Sequence, residues 1–214
     1  MRKGGKNVRG YVALHELPDA EFNAALEEID SGSDRVAAIM GCALVENTLI
    51  GLIIASLKDS DDAIKLFDAV RGPLSTFHAK IVAAKAFGII DPKTAEHIHT
   101  VRQVRNDFAH GLINMTFHHK LVSGRCEKLK ALAPREYDQL KEVSEQRRYY
   151  EAACFELTTL LIKKGNEAIN KRTDELKRSL MVDALSAHTN AQLFSLGGLA
   201  GFINVIPPGI ESGE

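Results

Sequence analysis

The stretch VRQVRNDFAHG, Val101 to Gly111, ends what reads as a helix and holds Arg105 and His110 five positions apart. An arginine offers a planar fork for phosphate oxygens, and a histidine moves a proton near neutral pH. With a charge stabiliser, such a pair can support RNA cleavage by the strand's own 2′-hydroxyl. The spacing alone is uninformative, because 12 arginines and 8 histidines in 214 positions make about 12 × 8 / 214 ≈ 0.45 such pairs by chance. Its setting says more. At ~3.6 residues per turn, Arg102, Asn106 and His110 stack on one polar stripe with Arg105 toward its edge. Two guanidinium groups, an amide and an imidazole then gather at a helix end. The competing reading is structural: a histidine in the last turn complements the helix dipole, and an arginine inside a bundle pairs with a carboxylate. On residue types and spacing alone, that structural reading is the default.

Glu46 is the second residue of interest. It lies inside the long apolar run Val36 to Leu57, where an ionised carboxylate must find a partner, and Arg105 or Arg102 is the expected one. His97 and His99, two apart on a helix, point to different sides and make a poor metal pair, while His118 and His119 fall in a polar segment. All four read as surface histidines. Cys42, Cys126 and Cys154 are odd in number and widely spaced, so neither a disulfide framework nor a metal motif is legible and a reducing cytoplasm is expected. No metal and no cofactor is expected.

The elements that must position these residues are helical throughout. Apolar residues recur at helical spacing, and no long stretch alternates as a strand does. An all-α bundle is therefore expected. Pro18 and Asp19 open a first helix in which Phe22, Ala25, Leu26 and Ile29 share a face, closing near Gly32. Ser33 caps a second to about Leu57, apolar nearly all round and so central. It approaches the length of a membrane span, but Glu46 and Asn47 near its middle favour a buried core helix. A short helix is expected over Ser60 to Val70. Gly72-Pro73 reads as the start of the next, with Gly88 in the left-handed position just past its end. Asp91 caps a helix from Pro92 to about Ala109, with Ile98, Val101, Val104 and Phe108 inward. Residues Leu112 to Glu136 read as a loop or short hairpin. Periodicity resumes by Tyr137, and Tyr149, Ala153, Leu157, Leu160 and Leu161 mark a last core helix to roughly Ile169. The divisions expected are a flexible arm over 1–15, a helical domain over 16–178 and an extension over 179–214 that fits no clear element.

Charge excludes little. With 27 basic and 28 acidic residues the net charge is -1, so neither a polyanion nor a membrane surface is demanded. Glu16 to Asp34 carries seven acids and no base, whereas Met1 to Arg9 holds four bases and no acid. That asymmetry, with apolar helical faces in excess of one small bundle's needs, points to a homodimer. The basic N-terminal stretch lacks an apolar segment after it, which argues against secretion.

The block RGPLSTFHAKIVAAKAFGIIDPKTAEHIHTVRQVRNDFAHG, Arg71 to Gly111, resembles the mannitol-operon repressor (MltR-like) family. A Gly-Pro-Leu opening, a basic helix, a Gly-Ile-Ile turn and an Arg-Asn-x-Phe-Ala-His ending occur in that family's order. ALVENTLIGLI, Ala43 to Ile53, resembles its earlier helix. The resemblance implies a helical bundle similar to HEPN domains, whose active members cut RNA without metal at an Arg-x4-6-His motif, usually across a dimer interface. Under it Arg105, Asn106 and His110 are the catalytic candidates, and Arg102, Arg105, His110 and Lys80 are phosphate-binding ones, although Lys80 stands where relatives often have arginine. The family's name implies regulation of a sugar-alcohol operon, and since the chain carries no recognition-helix motif, through protein partners rather than by direct DNA binding. An endoribonuclease, with RNA as substrate, and a non-catalytic interaction module are the alternatives.

Overall fold

In the computed structural model, which describes residues 19–57, 64–111, 115–133 and 143–203, every regular element among the described residues is helical. The elements are α1 (Asp19–Ser31), α2 (Asp34–Ser56), α3 (Phe77–Ala86), α4 (Pro92–His110), α5 (Lys120–Cys126) with a 3-10 segment Glu127–Leu132, and α6 (Glu145–Ile203). The chain divides into two compact units, Met1–Ile169 and Asn170–Glu214.

In the first unit α2 is central. Ser33 accepts a hydrogen bond from Val36 N (3.3 Å) and so starts it. Ala37, Ala38, Val45, Leu49 and Ile53 are fully buried along its length. The helix is long and apolar enough to cross a membrane, with a mean hydropathy of 1.9 in its best window, yet 61% of that window is buried inside the protein. Gly41 allows α6 to approach, since a Cβ there would lie 3.1 Å from Cys154 Sγ and 3.3 Å from the Tyr150 ring. Tyr150, itself fully buried, donates its hydroxyl to Ala38 O at 2.7 Å.

Arg147 ties α6 to the α1–α2 junction. It is 6% exposed, and its guanidinium donates to Glu151 Oε1 (2.6 Å), Asp34 Oδ1 (3.2 Å), Ile29 O (3.0 Å) and Asp30 O (3.1 Å). The fork reaches several acceptors that one lysine ammonium could not. Asp34 also accepts from Phe117 N at 3.1 Å.

α3 and α4 form a hairpin that carries the motif. Gly88 turns it with φ +69°, a conformation glycine adopts freely. Asp91 then accepts from Thr94 N at 2.8 Å, with Pro92 at the first helical position. Ile98, Val101, Val104 and Phe108 are all fully buried, as their spacing requires.

Four expectations need correction. Gly72-Pro73 does not start α3. Gly72 sits in a tight turn, donating to Asp68 O at 2.9 Å, where a Cβ would come within 2.4 Å of Leu66 O. The helix begins at Phe77, behind a Thr76 cap that accepts from Ala79 N. The segment expected as a loop or hairpin over 112–136 is irregular over 115–119 but helical over 120–132, because Val122, Cys126 and Leu129 bury completely at helical spacing. The extension expected to be irregular continues α6 to Ile203. No proline interrupts 178–203, and the loss of charge there weakens the pattern without breaking a helix. His97 is buried, 9% exposed, rather than on the surface. The arm over 1–15, the opening of the short helix at 60–63 and the onset of the last helix at Tyr137 lie outside the described residues; Leu66 to Val70 are mostly turn.

Candidate functional site

α4 decides where the motif's side chains go. Arg105 follows fully buried Val104 and is half-buried. Its charge bears on the Cys42 thiol of α2. Burial pushes that thiol up to about 11 against the opposing pull of Arg105. His110 is exposed in the last turn. Five positions along a helix place two side chains about 140° apart around the axis, so one inward and one outward residue is the natural result. Within one chain, Arg105 serves the α2–α4 contact and His110 faces solvent.

Below His110 the helix end is secured from two sides. Arg35 Nη2 donates to Gly111 O at 2.9 Å, placing a cation at the negative end of the helix dipole. Asp107, beside Asn106, pairs with Arg125 of α5 at 2.7 Å. Asn106 is half-buried between these groups in sequence. Arg102, two turns before His110, is half-buried, and its Nε is enclosed without a hydrogen-bond partner.

Glu46 finds a different partner from the one expected. Its Oε1 accepts from Lys80 Nζ of α3 at 2.5 Å, with the lysine side chain 1% and the glutamate 21% exposed. The carboxylate is part-buried at the edge of the core, and its partner comes from α3 rather than from α4. Lys80 faces the same core as Phe77, Ile81 and Ala84, and an ammonium there must be neutralised. It is thus engaged in the core rather than presented to a phosphate at the surface. The charges gathered at the α2–α3–α4 junction are Glu46 against Lys80, Arg102 and Arg105, a cationic surplus held close to Cys42.

His97 and His99 diverge. Burial first and the Lys93 charge second hold His97 below its ordinary value. His99 is lowered by burial and then by the charges of Arg102, His78 and Lys85. Its ring meets that of His78 at 5.1 Å between centroids. Among the described residues no group of three or more His, Cys, Asp or Glu is arranged to hold a metal ion. Arg147, the most extensively bonded of the cations described above, was not singled out by the sequence. Its one local signal was Glu151 four residues later, a spacing that surface pairs share.

No family model matches the chain, and no curated protein matches it. Among solved structures, the MtlR–HPr complex from Escherichia coli contains a similar chain. The two are 19% identical, the match covers 70% of this chain and 99% of that one, and the TM-score is 0.47. At this level the likeness assigns neither a family nor a partner.

Proposed function

We propose that the chain is a regulatory protein of the kind its Arg71–Gly111 block resembles, acting on a sugar-alcohol or related operon through protein contacts. The observation that carries this reading is an exposed apolar stretch of α6 within the second unit. Leu176, Leu180, Met181 and Val182 are 57, 69, 68 and 59% exposed. Large apolar side chains grouped on one stretch of helix mark a contact surface. The flanking charges alternate in sign, Asp174 and Glu175 followed by Lys177 and Arg178, so two antiparallel copies present opposite charges to each other. A second copy of this chain is therefore the first partner proposed.

Light scattering on the full chain tests this, with twice the 23.5 kDa monomer mass expected. The double variant Leu176→Glu, Leu180→Glu should run as a monomer and, returned to a deletion strain, should leave operon transcripts as unregulated as the deletion does. A monomeric wild type, or full complementation by the variant, overturns the reading. The nuclease alternative is placed second because Arg105 is half-buried and lies about 140° around α4 from exposed His110. Purified protein with total RNA in EDTA should give no 2′,3′-cyclic phosphate ends, with or without His110→Ala.

A further inference from the structure

We propose that the groove between α3 and α4 binds a phosphorylated small molecule, its phosphate held by Lys85, Arg102 and Lys128. The groove encloses about 890 Å³ and is open on one side. Its lining combines the apolar residues Ile81, Val82, Pro92 and Ala95 with Lys85, Arg102 and Lys128, and with the His99 imidazole. Three elements contribute these cations: α3, α4 and the 3-10 segment after α5. None of them belongs to the motif end at Arg105 and His110 except by sharing α4.

Positive charge is in excess here. Glu96 is the one acid among the described lining residues, so the formal balance is three permanent cations against one anion. Lys85 and Lys128 are exposed and have no ion pair among the described residues. Arg102 adds a structural indication: its Nε is enclosed and lacks a hydrogen-bond acceptor, a cost that a bound oxyanion would relieve. After burial, it is Arg102, His78 and Lys85 that hold His99 below its ordinary value. Thr100 and Gln103 add neutral polar groups to the wall.

Size and shape favour a small molecule over a nucleic-acid strand. A volume near the top of the ~300–1,000 Å³ range of ligand sites accepts a phosphate ester with a ring-sized body against the apolar lining residues. A strand would need a basic track extending beyond one groove, together with aromatic stacking platforms. The described lining has no aromatic ring other than the His99 imidazole. The proposal is independent of the dimer, since the groove is formed within the first unit.

Titration calorimetry on the full chain tests it, using inorganic phosphate, adenosine 5′-monophosphate against adenosine, and glucose 6-phosphate against glucose. At least one phosphate-bearing probe should bind in the millimolar range or tighter, while its unphosphorylated counterpart should not. Lys85→Ala and Lys128→Ala, both at exposed positions that should leave the fold intact, should each weaken that binding about tenfold, and His110→Ala should leave it unchanged. The inference is overturned if no phosphate probe binds, if phosphorylated and plain probes bind alike, if both lysine variants bind as wild type, or if a 20-nucleotide RNA is the sole binder. A monomer in light scattering together with intact phosphate binding would remove the proposed contact surface and leave this site standing.

Discussion

Replacing Glu46 by leucine removes the carboxylate from the α2–α3–α4 junction and leaves the Lys80 ammonium, 1% exposed, without the oxygen it holds at 2.5 Å. The loss is sharpened by Arg102 and Arg105, whose charges share the neighbourhood of Cys42 with that of Glu46. Breaking one partner of a buried pair costs ~3–5 kcal/mol, and the 21% exposure of Glu46 places this case near ~3. For a chain of this size each kcal/mol moves the Tm by about 2–4 °C, so a fall of roughly 6–12 °C is expected. Lys80→Met should cost less, about 1–2 kcal/mol, because the carboxylate left behind reaches water and keeps two arginines nearby. The double variant should be less damaged than Glu46→Leu alone, since apolar residues of similar volume can replace a buried pair at little cost. Urea unfolding followed by far-ultraviolet circular dichroism, with a constant m value across the set, measures all three. The reasoning fails if Glu46→Leu lies within about 0.5 kcal/mol of wild type, or if the double variant costs the sum of the singles.

Arg147→Met should destabilise by ~3–5 kcal/mol in the same assay, because it takes the donor from two backbone carbonyls and from buried Glu151. Arg147→Lys should recover less than half of that loss, a single ammonium being unable to span the acceptors. Burial pushes Cys42 up to about 11 and Cys126 up to about 12, and raises Cys154 as well; iodoacetamide at mildly alkaline pH should therefore leave the native protein unlabelled and modify all three thiols in denaturant. His97 and His99 are held below their ordinary 6.5 in the fold, so the unfolded chain takes up protons first as pH falls. Their contribution is whole above about pH 6.5 and is lost below it, toward the lowered folded values. The Tm should drop between about pH 7.5 and 5, and His97→Gln should flatten that slope; an unchanged slope would count against burial as its cause.

Most of the helical frame was legible because its punctuation is local. Ser33, Gly88, Asp91 and Pro92 each act within a turn or so of their own position, and each sits where its chemistry predicts. The inward face of α4 followed from spacing alone. Gly72-Pro73 misled because the pair suits a helix start and a tight turn equally, and Thr76 decides between them through its own cap. The helix over Lys120–Cys126 was hidden by valine, phenylalanine and threonine, whose strand propensity yields to the burial of Phe117, Val122 and Cys126.

The site was less legible for a different reason: its geometry depends on which helix approaches which face. Periodicity says that Glu46 faces inward but not that α3 rather than α4 covers it, so the partner resolved to Lys80, a residue read at first as a phosphate ligand. The same swap governs the motif. With Lys80 neutralising Glu46, the charge of Arg105 bears on the Cys42 thiol, and Arg102 is left with an unanswered Nε. The cationic surplus thus appears on the α3–α4 groove, where Lys85, His99 and Lys128 already stand, rather than at the Arg105 and His110 pair. A motif defined by spacing along one helix can name the right helix and the wrong face, because a fold places charge by pairing across helices.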